Sequence, residues 1–215
     1  MLAVLIRAAQ HLGFDHAAYG IRYPVPITKP QIIMTSTYPD EWKARYFERQ
    51  YIGVDPTVKN ALATDSPVAW TGNDTGKHGS FWDEASSFGI VHGWSAASRG
   101  ADGTVGLLTL ARNSCPISPG ERISNEAVVI LLSQAAHAIM APRLTVDRFA
   151  EGILTAREID VLKWTADGKT AYEIAKILII AECTVNFHIK NIVAKLGCAN
   201  KIQAAAKAAL IGLLR

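Results

Sequence analysis

The sequence predicts an α+β protein in two parts. The first is an α-β-α sandwich around an antiparallel sheet, and the second is a four-helix helix-turn-helix domain. Three observations lead there. Helix-like and strand-like patterns interleave along the first part, only helical periodicity remains after Thr155, and the net positive charge lies in the second part. Residues 151–215 hold 9 Lys and Arg against 6 Asp and Glu, which accounts for the whole formal charge of +3, and no acid follows Glu182. Such a tail suits a polyanionic partner. The expected boundaries are 1–141 for the first domain, 142–153 for a linker and 154–215 for the second.

The elements follow in order. Leu2–Leu12 is apolar but interrupted by Arg7, Gln10 and His11, with no small-residue cleavage site beyond it, so it reads as an amphipathic helix rather than an export signal. Strands are expected at AAYGIRYPV, KPQIIMTSTY, PVAW, GWSAASR and GTVGLLTLAR, and helices at Pro39–Tyr51, Pro56–Thr64 and Phe81–Phe88. Asp102-Gly103 marks a hairpin turn between the last two strands. Ser118-Pro119-Gly120-Glu121 is a capping box with proline at the first helical position. It opens a long apolar helix that Ala141-Pro142 is expected to end. In the second part, Thr155 to Glu158 and Thr170 to Glu173 are two more capping boxes. A third helix runs from Glu182 to Leu196 and stops at Gly197, and Asn200 caps a fourth.

Several function classes are disfavoured. No apolar run approaches the ~20 residues of a membrane span. Cys115, Cys183 and Cys198 form no CxxC pair, which argues against a disulfide framework or a zinc site and fits a reducing cytoplasm. His11, His16, His78, His92, His137 and His188 form no HxH cluster and no GxSxG elbow exists, so an enzyme is not expected.

The helix ECTVNFHIKNIVAKLG carries a buried stripe of Val185, Ile189, Ile192, Val193 and Leu196. Its other side presents Asn186, Phe187, Lys190, Asn191, Ala194 and Lys195, without a carboxylate. Amides can read base edges, lysines can reach guanine or phosphate, and small residues allow close approach. With the preceding helix it forms a helix-turn-helix, whose second helix enters the major groove of double-stranded DNA. Lys169 and the free N–H groups at Thr170 would contact phosphate.

The run TAREIDVLKWTADGKTAYEIAKIL…TVNFHIKNIVAKLG closely resembles the LuxR-type helix-turn-helix domain. The match rests on Thr155, Arg157, Glu158, Val161, Leu162, Gly168, Lys169, Glu173, Ile174, Ala175, Thr184, Val185, His188, Asn191, Ile192, Lys195 and Leu196. The resemblance implies a homodimer touching through the last helix, with RNA polymerase as a further partner. One departure is that Ile180-Ala181-Glu182 lacks the serine cap that usually opens the recognition helix, at a cost of ~1 kcal/mol.

In the first part, Tyr38, Trp42 and Tyr46 are spaced four apart, which puts three rings on one helical stripe. Together with Asp55-Pro56, Trp70, Gly93 and the block FWDEASSFGIVHGW, they resemble the autoinducer-binding domain of quorum-sensing LuxR regulators. The resemblance implies an N-acyl-homoserine lactone as signal ligand and no other cofactor. It assigns the Trp42 N–H to the lactone carbonyl, Asp55 to the amide N–H and the Tyr38 hydroxyl to the amide carbonyl. Ser95 and Thr109 would be neighbouring hydroxyls, and Tyr46, Trp70, Phe81 and Ala85 would wall the head. Leaving such polar groups buried and unpaired would cost ~1–3 kcal/mol each. Acyl length would depend on packing around Ile33, Val58, Leu62 and Leu107. Members of that family carry a further helix ahead of the segment that starts here at Met1, so the expectation is either a start that lies upstream or a member that lacks that helix. A ligand-sequestering or partner-titrating protein that binds DNA weakly, and a lactone-degrading enzyme, are the alternatives.

Overall fold

A computed structural model describes residues 2–72, 78–144 and 154–214. By contact it divides into one unit of Met1–Arg22, Ile32–Gly100 and Val105–Leu144, and a second of Tyr23–Gln31, Ala101–Thr104 and Thr145–Arg215.

The first unit contains α1 (Leu2–His11), β1 (His16–Arg22), β2 (Ile32–Ser36), α2 (Asp40–Glu48), α3 (Pro56–Leu62), β3 (Val68–Thr71), α4 (Gly79–Ser87), β4 (His92–Arg99), β5 (Val105–Arg112) and α5 (Pro119–Leu144). The strands pair antiparallel in the order β2-β1-β5-β4-β3. Because side chains alternate across a strand, register decides which residues share a face. One face carries Tyr19, Leu108 and Ala96 side by side, and α5 covers it. Here Tyr19 Oη lies 2.8 Å from His137 Nδ1, and Ser98 Oγ donates to Ser133 O at 3.0 Å. Gly106 makes this approach possible, since a Cβ there would collide with the His137 ring and sit 2.9 Å from the Tyr19 hydroxyl. The opposite face is roofed by α2, α3 and α4, and the cavity lies beneath them.

Three expectations need correction. Tyr38 precedes α2, whose N-cap is Pro39, so only Trp42 and Tyr46 share the helix. The Ser118 box forms by half. Ser118 Oγ accepts from Glu121 N at 3.1 Å, but both carboxylate oxygens of Glu121 turn to Arg112 at 2.8 Å. A bidentate pair to a buried guanidinium outcompetes a single bond to an exposed backbone N–H. Finally, α5 runs through Pro142 to Leu144, because a proline in the last turn removes only one ladder bond. Most of the expected linker, residues 145–153, lies outside the described residues. By length and composition α5 is long and apolar enough to cross a membrane, a test that the core helix of a sandwich passes as well. Its buried Val129, Ser133, Ala136 and Met140 form the packing face of a sandwich helix.

The second unit holds α6 (Ala156–Ala166), α7 (Ala171–Leu178), α8 (Glu182–Lys195) and α9 (Lys201–Leu210) around Leu154, Val161, Leu162, Ile174, Val185, Ile192, Leu196, Ala204 and Ala208. Thr155 and Thr170 form complete capping boxes, and Asn200 caps α9 through Gln203 N. Between α7 and α8 the chain turns by 109°. Ile179 makes that turn at φ 53°, a left-handed conformation that strains a β-branched residue. Helix α8 opens on Ala181 with no side-chain cap.

Candidate ligand cavity and nucleic-acid interface

The cavity has a volume of about 310 Å³. Its floor is the sheet face set by register. Ala18 and Thr109 pair at one end, Gly20 lies between Met34 and Leu107, and Arg22 lies between Ile32 and Val105 at the other. The one row between the ends on this face is that of Gly20, whose missing side chain leaves the floor low there. Val58 and Leu62 line it as expected, whereas Ile33 does not. Ile33 pairs with Ile21 on the opposite face, and its neighbours Ile32 and Met34 take the place assigned to it.

Over the Thr109 end, aromatic side chains build a wall. Trp42 is only 3 % exposed, with its ring 5.6–5.9 Å from those of Tyr46, Tyr51, Phe81 and Phe88. Among the described residues none accepts a hydrogen bond from its indole N–H, although the side chain lines the cavity. Tyr38 also lines it, and its hydroxyl has no partner among the described residues either. Trp70 differs. Its Nε1 donates to Ser95 Oγ at 3.0 Å, and Ser95 Oγ lies 3.2 Å from Thr109 Oγ1. Gly93 lets the Trp70 indole lie flat on β4, because a Cβ there would collide with that ring and with Leu110 O.

Asp55 is the one carboxylate in the wall among the described residues. It caps α3, with Oδ1 accepting from Thr57 N at 2.8 Å and Thr57 Oγ1 at 2.7 Å. Oδ2 accepts from the Tyr46 hydroxyl at 2.9 Å. Burial raises the Asp55 pKa above its ordinary 3.8, against the pull of the Thr57 and Tyr46 bonds. Burial, and then the charge of Asp55, pushes the Tyr46 and Tyr38 hydroxyls up as well. The result is a chamber whose wall carries an N–H donor, a hydroxyl and a buried carboxylate above a floor of strand residues.

Of the residues expected here, Tyr38, Trp42, Tyr46, Asp55, Trp70, Phe81 and Thr109 line the cavity. Ala85 and Ser95 are fully buried one layer behind it, Ala85 in the aromatic cluster and Ser95 under Trp70. Trp82 and Ile90 line it unanticipated. For them the sequence offered only apolar periodicity on a helix and at a strand start.

In the second unit, Asn186, Phe187, Lys190 and Lys195 on α8 are exposed, and Thr184 and Asn191 half-buried. Lys169 is half-buried and Thr170 exposed at the start of α7. Lys195 is not free, for its Nζ donates to the buried Glu158 carboxylate at 2.8 Å.

A buried chamber for a small amphiphile and a helix-turn-helix in one chain define a ligand-responsive DNA-binding regulator. Residues 1–140 match the family model of the autoinducer binding domain, and residues 152–208 that of the bacterial regulatory proteins of the luxR family. The chain belongs to this family of quorum-sensing transcription regulators and is not an enzyme. It is 40 % identical over 218 residues to the transcriptional activator protein AnoR of Acinetobacter nosocomialis, covering 100 % of this chain and 92 % of that one. It is 37 % identical over 218 residues to the quorum-sensing regulator RhlR of Pseudomonas aeruginosa, covering 100 % and 89 %. The solved structure of SdiA in complex with octanoyl-rac-glycerol is similar at a TM-score of 0.85 and 29 % identity, covering 100 % of this chain and 88 % of that one.

Proposed function

We propose that this chain is a homodimeric transcription regulator whose cavity takes an N-acyl-homoserine lactone and whose paired α8 helices read a pseudo-palindromic site. Residues 1–141 would form the sensor and 154–215 the DNA-binding domain. The observation that carries the ligand reading is that the Trp42 N–H and the Tyr38 hydroxyl, unpartnered among the described residues, line the same cavity as the Asp55 carboxylate. Trp42 gives a donor for the lactone carbonyl, Asp55 an acceptor for the amide N–H and Tyr38 a donor for the amide carbonyl, while the chain follows Gly20, Met34 and Leu107. SdiA's ligand, an octanoyl group on a small polar head, has the same division into head and tail.

The dimer reading is supported by α5. Its outer side leaves Ile123, Val128, Leu131 and Ile139 exposed at 86, 44, 69 and 49 %, an apolar face of the kind a partner covers. Lys169, Thr170, Thr184, Asn186, Phe187, Lys190 and Asn191 would then meet DNA, with half-sites about one helical turn, ~34 Å, or a multiple apart. Action in the cytoplasm, with RNA polymerase as a further partner, accords with this role. The test is thermal melting of the full chain with and without N-octanoyl-homoserine lactone. A ligand that completes the core stabilises by ~2.7 kcal/mol at a hundredfold excess over Kd. Equal melting in both would refute the reading.

A second reading, sequestration of signal with weak DNA binding, draws on the uncapped start of α8. A gel shift on duplex with and without lactone separates it from the first.

A further inference from the structure

Glu158 has a side chain only 4 % exposed, and its Oε2 collects three bonds: from Thr155 N at 2.7 Å, Thr155 Oγ1 at 3.1 Å and Lys195 Nζ at 2.8 Å. Burial alone would raise its pKa, but the Lys195 and Thr155 bonds overcome that and hold it below the ordinary 4.5. A buried carboxylate so placed strongly requires its cation. Lys195 is the last residue of α8, and Glu158 lies in the first turn of α6. The same end of α8 is held again where Lys207 Nζ, from α9, donates to Leu196 O at 2.7 Å. Its other end starts at Ala181 with no side-chain cap bond. Val185 and Ile192 seat α8 on the core, and among the described residues its C-terminal end adds the polar ties that set its angle.

We infer that Lys195 is a positioning residue for DNA recognition, its charge committed to Glu158 so that α8 presents Asn186, Lys190 and Asn191 at a fixed angle. This differs from the phosphate or base contact that its place on the outer face suggests. The inference rests on α8 being the groove-facing helix.

The two roles part in salt dependence. Losing a phosphate contact lowers the slope of log K against log salt by about 0.9 and weakens all sequences alike. Losing a positioning contact weakens the selected sequence and leaves the slope and random-sequence binding in place. The experiment uses the full chain with N-octanoyl-homoserine lactone, a duplex selected from a random pool by the unaltered chain, and a random duplex of equal length. Glu158→Gln keeps the Thr155 box, since glutamine serves at that position, and removes the ionic partner of Lys195. The expected result is that Lys195→Met and Glu158→Gln each weaken the selected duplex by roughly fivefold to thirtyfold, no more when combined, with unchanged slope. Lys195→Arg should restore binding. A lowered slope in Lys195→Met, or full affinity in Glu158→Gln, would overturn the positioning role, as would loss of helicity in both variants. An unaltered chain that retains no duplex would instead overturn the groove-facing premise, and the inference with it.

Discussion

The Tyr46 hydroxyl donates to Asp55 Oδ2 at 2.9 Å, inside a wall of aromatic rings. Together with the Thr57 N–H and hydroxyl and the Val58 N–H, it surrounds Asp55 with donors from its own chain, and burial still raises the carboxylate's pKa. Asp55 lines the cavity in surroundings that disfavour its charge, and an N–H donor arriving there would help to offset that cost.

Asp55→Asn tests that directly. Asparagine caps a helix about as well as aspartate, so α3 should survive. A charge-assisted bond to the ligand would become a neutral one, and binding of N-octanoyl-homoserine lactone should weaken by about 1.5–3 kcal/mol. Calorimetric titration checks it. An unchanged Kd would remove Asp55 from the site.

The raised pKa also makes a pH prediction. Folded Asp55 holds its proton more tightly than the unfolded chain does, so between 3.8 and its raised value the native state binds more protons. Stability then falls as pH rises through that window. The ligand-free chain should lose stability relative to Asp55→Asn on going from pH 4 upward, and the gap should level off once Asp55 is ionised. Glu158, held low, works in the opposite sense, with its contribution complete above 4.5 and lost as pH falls through its folded value. Denaturant melts of both proteins across this range measure the difference. A gap that does not change with pH would show that Asp55 is not desolvated.

Gly93→Ala is expected to damage the sensor alone. The added methyl would meet the Trp70 ring and the Leu110 carbonyl, which is backbone and cannot yield cheaply. Overpacking of this kind costs about 1–3 kcal/mol, and here it would lift Trp70 off Ser95. The expected readout is lower solubility of the ligand-free chain and weakened lactone binding. Normal solubility with normal binding would contradict the close packing of Trp70 on β4.

Much of this was legible in the sequence because local rules and the fold agree. Thr155, Thr170 and Asn200 cap the helices they precede, and Asp102-Gly103 forms its turn, with Thr104 N donating to Asp102 Oδ1 at 3.1 Å. What was not legible depends on long-range partners. Nothing near Glu121 announces Arg112, and nothing near Lys195 announces Glu158 thirty-seven residues earlier. Ile33 illustrates a third kind of gap. Its apolarity was plain, but which face it takes follows from pairing with Ile21, and a shift of one residue reverses it. Ser95 and Ala85 were placed near the cavity and lie one layer behind it, a distinction that only packing makes.

Ala181→Ser would supply the cap that α8 lacks. The gain expected from an N-cap hydroxyl is ~1 kcal/mol, seen as a higher melting temperature of the helical signal with unchanged ligand affinity. If the melting temperature stayed the same, the first turn of α8 would already have another partner.

A sensor of this kind must retain an acyl lactone in its chamber as a bound molecule. The most direct measurement is mass spectrometry of small molecules extracted from the full chain, folded in the presence of an equimolar series of N-acyl-homoserine lactones. The expected result is one intact lactone per chain, enriched for the lengths that fit the floor from Thr109 to Val105, and loss of that retention in Asp55→Asn. A folded chain that carries no lactone, or one that returns only ring-opened product, would contradict it.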